Sequence, residues 1–197
     1  MRLTRAGLIM VMAAFAVGGA ARGEGLPAGV PERLAKRLAD NPEAVLAAAG
    51  DLIAGFGRDG AIDRQGILQA VAMDRAAARA RAMVPLIAAD LDADGRITSV
   101  EMAAVIAASD AGFRGRLMRV KAGADADENG VVERDEMFVW ADALARKRVD
   151  AGDEARALAY LTLDLDGDGR LTLVEVEEAT LRATAGAAMA SVADRGA

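Results

Sequence analysis

The chain alternates between apolar stretches at helical spacing and short acidic or glycine-containing breaks. From Ala6 to Val17 the residues are uncharged and mostly apolar. Pro31 to Asp40 has the pattern of a short amphipathic helix. Pro42 to Ala54 follows as a second helix, with Asn41 as its N-cap and Pro42 in its first turn. Helical character resumes after Gly66 and runs to Val84, and Pro85 is expected to break or kink it. Apolar residues then recur three to four apart at Met102, Val105 and Ile106, at Met137, Trp140 and Ala141, and at Val176 and Ala179. Tyr160 and Leu163 continue the pattern; Leu117 and Val120 do so more weakly, because Lys121 falls where an apolar residue is expected. Ser109 to Gly112 reads as a hinge, and the Ala/Gly-rich tail from Arg182 reads as frayed.

The N-terminal run has the composition of an export signal. Arg2 and Arg5 precede it, and Gly18-Gly19-Ala20-Ala21 follows it with small residues suited to cleavage after Ala20 or Ala21. The run is shorter than the roughly 20 residues a membrane-spanning helix needs. The expectation is a signal peptide over 1–20 and an exported protein, periplasmic or extracellular, with no membrane attachment after cleavage.

Composition removes several kinds of chemistry. The 197 residues include no cysteine and no histidine, so thiolate and imidazole chemistry are both excluded. Aromatics are 3%, and 30 acids face 24 bases for a net charge of −6, which argues against a nucleic-acid partner. No G-x-S-x-G nucleophile motif occurs, and an enzyme is not expected. Carboxylate is the plentiful functional group, and it prefers hard cations.

Those carboxylates are not scattered. Three twelve-residue segments, 90–101, 125–136 and 164–175, fit D-x-[DN]-x-[DN]-G-x5-E. They contain Asp90, Asp92, Asp94 and Glu101; Asp125, Asp127, Asn129 and Glu136; and Asp164, Asp166, Asp168 and Glu175. Oxygens at positions 1, 3 and 5 converge as the chain curls. Gly95, Gly130 and Gly169 at position 6 supply a conformation that a Cβ would oppose. Each loop collects four carboxylates (Glu133 included), and like charges ~4 Å apart repel by about 1 kcal/mol per pair even in water. A cation is the natural compensation.

These segments resemble the calcium-binding loops of EF-hand proteins. The resemblance spans about residues 42–181 and is to two-lobed members of the calmodulin or sarcoplasmic calcium-binding type. It implies an all-α fold of paired helix–loop–helix units joined by short antiparallel loop strands. It implies Ca²⁺ at three sites, with the backbone carbonyls of Arg96, Val131 and Arg170 at position 7 and with Thr98, Glu133 and Thr172 at position 9. Ile97, Val132 and Leu171 at position 8 would lie in the strands. Dockerin modules lack Glu at position 12, and lanmodulin-like binders carry proline where this chain has Leu91, Ala126 and Leu165.

Thirty-five residues before Asp90 lies a damaged copy, 55–66. It keeps Asp59, Gly60 and Ile62 but has glycine at positions 1, 3 and 12 (Gly55, Gly57, Gly66). It reads as an ion-free unit pairing with loop 90–101. Two lobes follow, 42–108 and 109–181, after a linker and short helix over 21–41 and before a flexible tail over 182–197. Gly55-x-Gly57-x-x-Gly60 also matches a dinucleotide fingerprint, with Asp74 downstream, but the preceding stretch reads as a helix where that motif needs a strand.

The expected function is calcium binding by an exported, monomeric buffer or calcium-stabilised binding protein. The alternative is a sensor that opens a groove containing Met73, Met83, Met102, Met118 and Met137 to a protein partner. Arg114, Arg116, Arg119 and Lys121 form a basic stretch suited to a solvated face or an acidic partner.

Overall fold

The computed structural model describes residues 25–194; the expected signal peptide lies outside them. The fold is all-α, with eight helices and one two-stranded antiparallel sheet among the described residues. None of these helices is long and apolar enough to cross a membrane.

Helix α1 (Glu32–Asp40) buries Leu34 and Leu38, one turn apart on one face. Helix α2 (Pro42–Phe56) starts where expected, with the Asn41 side chain accepting the Ala44 N–H at 3.3 Å. The damaged loop follows. Arg58 and Ala61 exchange backbone hydrogen bonds around Asp59 (φ 53°) and Gly60 (φ 75°), a two-residue hairpin turn of type I′. It leads into strand β1 (Ala61–Asp63). Asp63 then caps helix α3 (Arg64–Ile87) by accepting the Gly66 N–H at 2.8 Å. Pro85 does not stop α3. It sits in the last turn, and the helix runs two residues beyond it.

Helix α4 (Ser99–Ala108) and helix α5 (Ala111–Ala124) are separated only by Ser109 and Asp110, and Asp110 caps α5 by accepting the Phe113 N–H at 2.9 Å. Gly112, expected in a hinge, is helical. Helix α6 (Arg134–Arg148), helix α7 (Ala151–Leu158) and a 3-10 turn (Ala159–Leu163) lead to strand β2 (Arg170–Thr172) and helix α8 (Leu173–Asp194). The expected frayed tail is thus helical to Asp194, and Ala183 is buried in a core. The expected loose linker also packs, through Leu26 and Val30.

The loops do not pair in chain order. Strand β1 of the damaged loop joins β2 of loop 164–175, with Ile62 opposite Leu171. Loop 90–101 joins loop 125–136 through mutual hydrogen bonds of Ile97 and Val132, at 2.9 and 3.0 Å. This corrects the expected pairing of 55–66 with 90–101, and with it the lobe division into 42–108 and 109–181. The cause is α3. Its 24 residues, at about 1.5 Å each, span roughly 36 Å and place the first two loops at opposite ends of one rod.

Two cores result. One gathers Leu38, Val45, Ile62, Ile67, Leu163, Leu171 and Val176; the other gathers Leu86, Ile97, Met102, Leu117, Val132 and Ala141. The rods α3 and α6 pack together and join the two ends. Arg75 fastens α3 to the α6–α7 corner by donating to the Val149 carbonyl and to Glu154, both at 3.0 Å.

Candidate metal centres

In each acidic loop the same local hydrogen bonds draw the carboxylates inward. At position 1, one oxygen accepts the N–H of the position-6 glycine: Asp90 from Gly95 at 3.0 Å, Asp125 from Gly130 at 3.0 Å, Asp164 from Gly169 at 2.8 Å. At position 3, Asp92, Asp127 and Asp166 accept from the N–H two residues on, at 3.1–3.2 Å. At position 5, Asp94, Asn129 and Asp168 accept the N–H of Arg96, Val131 and Arg170 at 2.7 Å. Short polar side chains bonding to their own turn in this way are what make Asp and Asn turn residues.

The result is three carboxylate clusters whose oxygens lie within 4.8 Å of one another: Asp90, Asp92 and Asp94; Asp125, Asp127 and Glu136; and Asp164, Asp166 and Asp168. Asn129 also donates to Asp127 at 2.9 Å and reaches Glu133 at 3.5 Å.

Glu101 and Glu175 lie outside these clusters. Each is turned onto backbone and hydroxyl donors instead. Glu101 Oε1 accepts the Leu91 N–H and Oε2 accepts the Thr98 N–H and hydroxyl, all at 2.8 Å. Glu175 does the same with Leu165 and Thr172, also at 2.8 Å. Glu136 accepts from Ala126 at 2.8 Å and from Glu133 at 3.0 Å.

These donors favour the ionised carboxylate. The Thr98 N–H and hydroxyl, with the Leu91 N–H, hold Glu101 at about 2. The Glu133 N–H leads in lowering Glu136. Burial pulls Glu175 upward, but Thr172 and Leu165 together outweigh it, and the group stays below the ordinary carboxylate range. All three glutamates are therefore charged at neutral pH.

The donor set suits a hard divalent cation, and the position-1 aspartates test the fit. Asp90 Oδ1 and Asp125 Oδ1 are buried and have no hydrogen-bond partner. A buried, unpaired carboxylate oxygen is costly unless something positive sits beside it. In loop 164–175 the equivalent Asp164 Oδ1 instead accepts the Gly167 N–H at 2.7 Å. Gly167 (φ 75°) is at position 4, where the other two loops hold Ala93 (φ 59°) and Glu128 (φ 58°) in the same left-handed region. A glycine at position 4 is a signal that the twelve-residue pattern does not use.

The damaged loop holds no such cluster among the described residues. Two of its glycines, Gly57 and Gly66, are needed for another reason. A Cβ on Gly57 would lie 2.5 Å from the Ile53 carbonyl oxygen, and one on Gly66 would lie 2.7 Å from the Phe56 carbonyl oxygen. The backbone has closed in, and a longer residue at position 12 has no room. The fingerprint at Gly55, Gly57 and Gly60 is not a nucleotide loop either: a helix precedes it and a strand follows it, the reverse of what that motif requires.

The position-7 arginines do work outside their own loops. Arg170 Nη2 donates to the Arg58 carbonyl oxygen at 2.5 Å, and Arg96 lies 3.5 Å from Glu133 of the neighbouring loop. Lys121, on α5, reaches the Gly130 carbonyl oxygen. Sequence spacing gave no hint of these three contacts. The chain matches no family profile, no curated protein and no solved structure.

Proposed function

We propose that this protein binds three Ca²⁺ ions through EF-hand loops 90–101, 125–136 and 164–175, and that it serves outside the cytoplasm as a calcium buffer or calcium-stabilised binding protein. The observation that carries the reading is the pair of buried oxygens, Asp90 Oδ1 and Asp125 Oδ1, left without a partner inside acid clusters of one repeated pattern. Six or seven hard oxygens around one point suit Ca²⁺ better than the tighter octahedron of Mg²⁺. Ca²⁺ would supply the positive charge these carboxylates lack. The ligand oxygens would be Asp90, Asp92, Asp94 and Glu101 with Thr98 and the Arg96 carbonyl, and their counterparts in the other two loops. The glutamates at position 12 would exchange their amide donors for the ion.

The methionines divide between core and surface. Met83, Met102 and Met137 are buried in the second core, whereas Met73 and Met118 are exposed on α3 and α5. The two exposed residues are what the sensor reading rests on. Export follows from the N-terminal run and suits this chemistry: extracellular modules of this kind bind at roughly 10⁻⁴–10⁻³ M. Filling a site to 100 times its dissociation constant adds about 2.7 kcal/mol of stability.

Calorimetry on the chain without residues 1–20 tests the stoichiometry. Three Ca²⁺ per chain are expected, with one lost in each of Glu101→Gln, Glu136→Gln and Glu175→Gln. Uptake of fewer than two ions, or of four, contradicts the assignment. Trp140 lies four residues beyond Glu136 and packs over Gly123, so its emission should follow loop 125–136 alone. A hydrophobic dye that binds only with Ca²⁺ present would move the reading from buffer to sensor.

A further inference from the structure

The residue four places before the first aspartate of each acidic loop is Leu86, Lys121 or Tyr160. Leu86 and Tyr160 are buried core residues. Lys121 is half-buried, and its ammonium does not point to solvent alone. Its Nζ donates to the Gly130 carbonyl oxygen at 2.5 Å and lies 3.4 Å from Ser99 Oγ. Ser99 Oγ, from the neighbouring loop's helix, donates to the same carbonyl at 2.9 Å. The N–H of Gly130 in turn donates to Asp125 Oδ2. Gly130 is therefore gripped at both ends: by Lys121 and Ser99 on its oxygen, and by the position-1 aspartate on its nitrogen. The carbonyls of Gly95 and Gly169 receive no side-chain hydrogen bond among the described residues.

A second cation reaches the same loop, since Arg96 lies 3.5 Å from Glu133. Among the described residues, loops 90–101 and 164–175 have no ion pair to their own acids. Loop 125–136 is thus approached by two cations from outside itself, Lys121 on α5 and Arg96 of the neighbouring loop.

We propose that Lys121 is a positioning residue that acts as a tethered cation, holding loop 125–136 closed against loop 90–101 when no metal is present. A bound ion would take over that task, so the lysine matters in one state and not in the other. Only this dependence on metal rests on the calcium reading; the closure of the metal-free loop does not.

The test is amide hydrogen exchange on the full chain, in chelator and in saturating Ca²⁺, for wild type, Lys121→Met and Lys121→Arg. In chelator, Lys121→Met should speed exchange at Gly130 and Val132 by roughly tenfold to a hundredfold, as expected for loss of one charge-assisted hydrogen bond. Lys121→Arg should restore most of the protection, and Gly169 and Leu171 should not change. In Ca²⁺ the Lys121→Met acceleration should vanish. No acceleration in chelator overturns the proposal, and so does equal acceleration in both conditions in a chain that calorimetry shows to be loaded. If calorimetry finds no Ca²⁺ uptake by wild type, the calcium reading fails, and the chelator measurement alone decides the role of Lys121.

Discussion

The two loop pairs reach the same joined arrangement by different means. In the first pair, loops 55–66 and 164–175, one partner lacks acids at positions 1, 3 and 12 but has an Asp59-Gly60 turn and two close-packed glycines. A three-residue strand ladder and the Arg170 bond to Arg58 join it to its neighbour. In the second pair, loops 90–101 and 125–136, both partners carry acid clusters and only Ile97 and Val132 meet as strands. That pair holds both of the unpartnered aspartate oxygens. The contrast teaches that a helix–loop–helix unit without an acid cluster can close its backbone into the space, and that it then becomes a scaffold for the unit that keeps its acids.

The largest effect should come from the scaffold. Ile62 is fully buried in the first core, facing Leu171. Ile62→Ala should lower stability by about 2–5 kcal/mol, read by urea unfolding in chelator, while the ion count stays at three. An ion count that fell along with stability would mean that the first pair is not an independent frame.

Gly66→Glu comes next, since it restores the acid at position 12 of the damaged loop. The new Cβ would meet the Phe56 backbone oxygen at 2.7 Å and Ile62 Cγ1 at 2.8 Å. The expected outcome is a loss of about 1–3 kcal/mol and no fourth ion in calorimetry. A fourth ion would show the loop to be open rather than collapsed.

Position 4 sharpens the comparison further. A non-glycine residue in the left-handed region costs roughly 1–2 kcal/mol, and glycine loses about 0.5–1 kcal/mol more backbone entropy on folding. Ala93→Gly should therefore stabilise the metal-free protein by about 0.5–1 kcal/mol, and Gly167→Ala should destabilise it by a similar amount. Thermal unfolding of the two variants gives both signs.

The smallest effect is with acid. Glu101 is held at about 2 against an ordinary 4.5, and Glu136 and Glu175 are also lowered. Groups lowered by folding stabilise the folded state above about 4.5 and lose that contribution as pH falls through the folded values. The second pair has two such glutamates and the first has one. Near pH 3 in chelator, amide protection relative to the intrinsic exchange rate should fall more in loops 90–101 and 125–136 than in loop 164–175.

Much of this was legible in the chain. The three acidic segments stand out because residue type and spacing repeat together in all of them. Asn41 marks a helix start because a side-chain acceptor at that point is a local requirement. The partnering of the loops was not legible from the repeat, because strand residues such as Ile62 and Ile97 suit either neighbour equally well. Helix length decided it: an unbroken run from Gly66 to Val84 already implies a rod too long for its two ends to meet. Pro85 obscured this by suggesting a break, but so near the end of α3 it removes a single donor and interrupts nothing. The grip of Lys121 on Gly130 was invisible for a simpler reason, since a cation in an apolar register reads as loose packing until its target is seen.

The uninterrupted α3 also sets how the two ends can influence each other. At physiological ionic strength a surface charge is screened over about 8 Å, whereas this rod is roughly 36 Å long. Cations bound at its opposite ends, as proposed, would be electrically blind to one another. Occupancy at one end can be felt at the other only as torque or tilt passed along α3 and α6, so titration should resolve into a coupled couple of loops and an autonomous third.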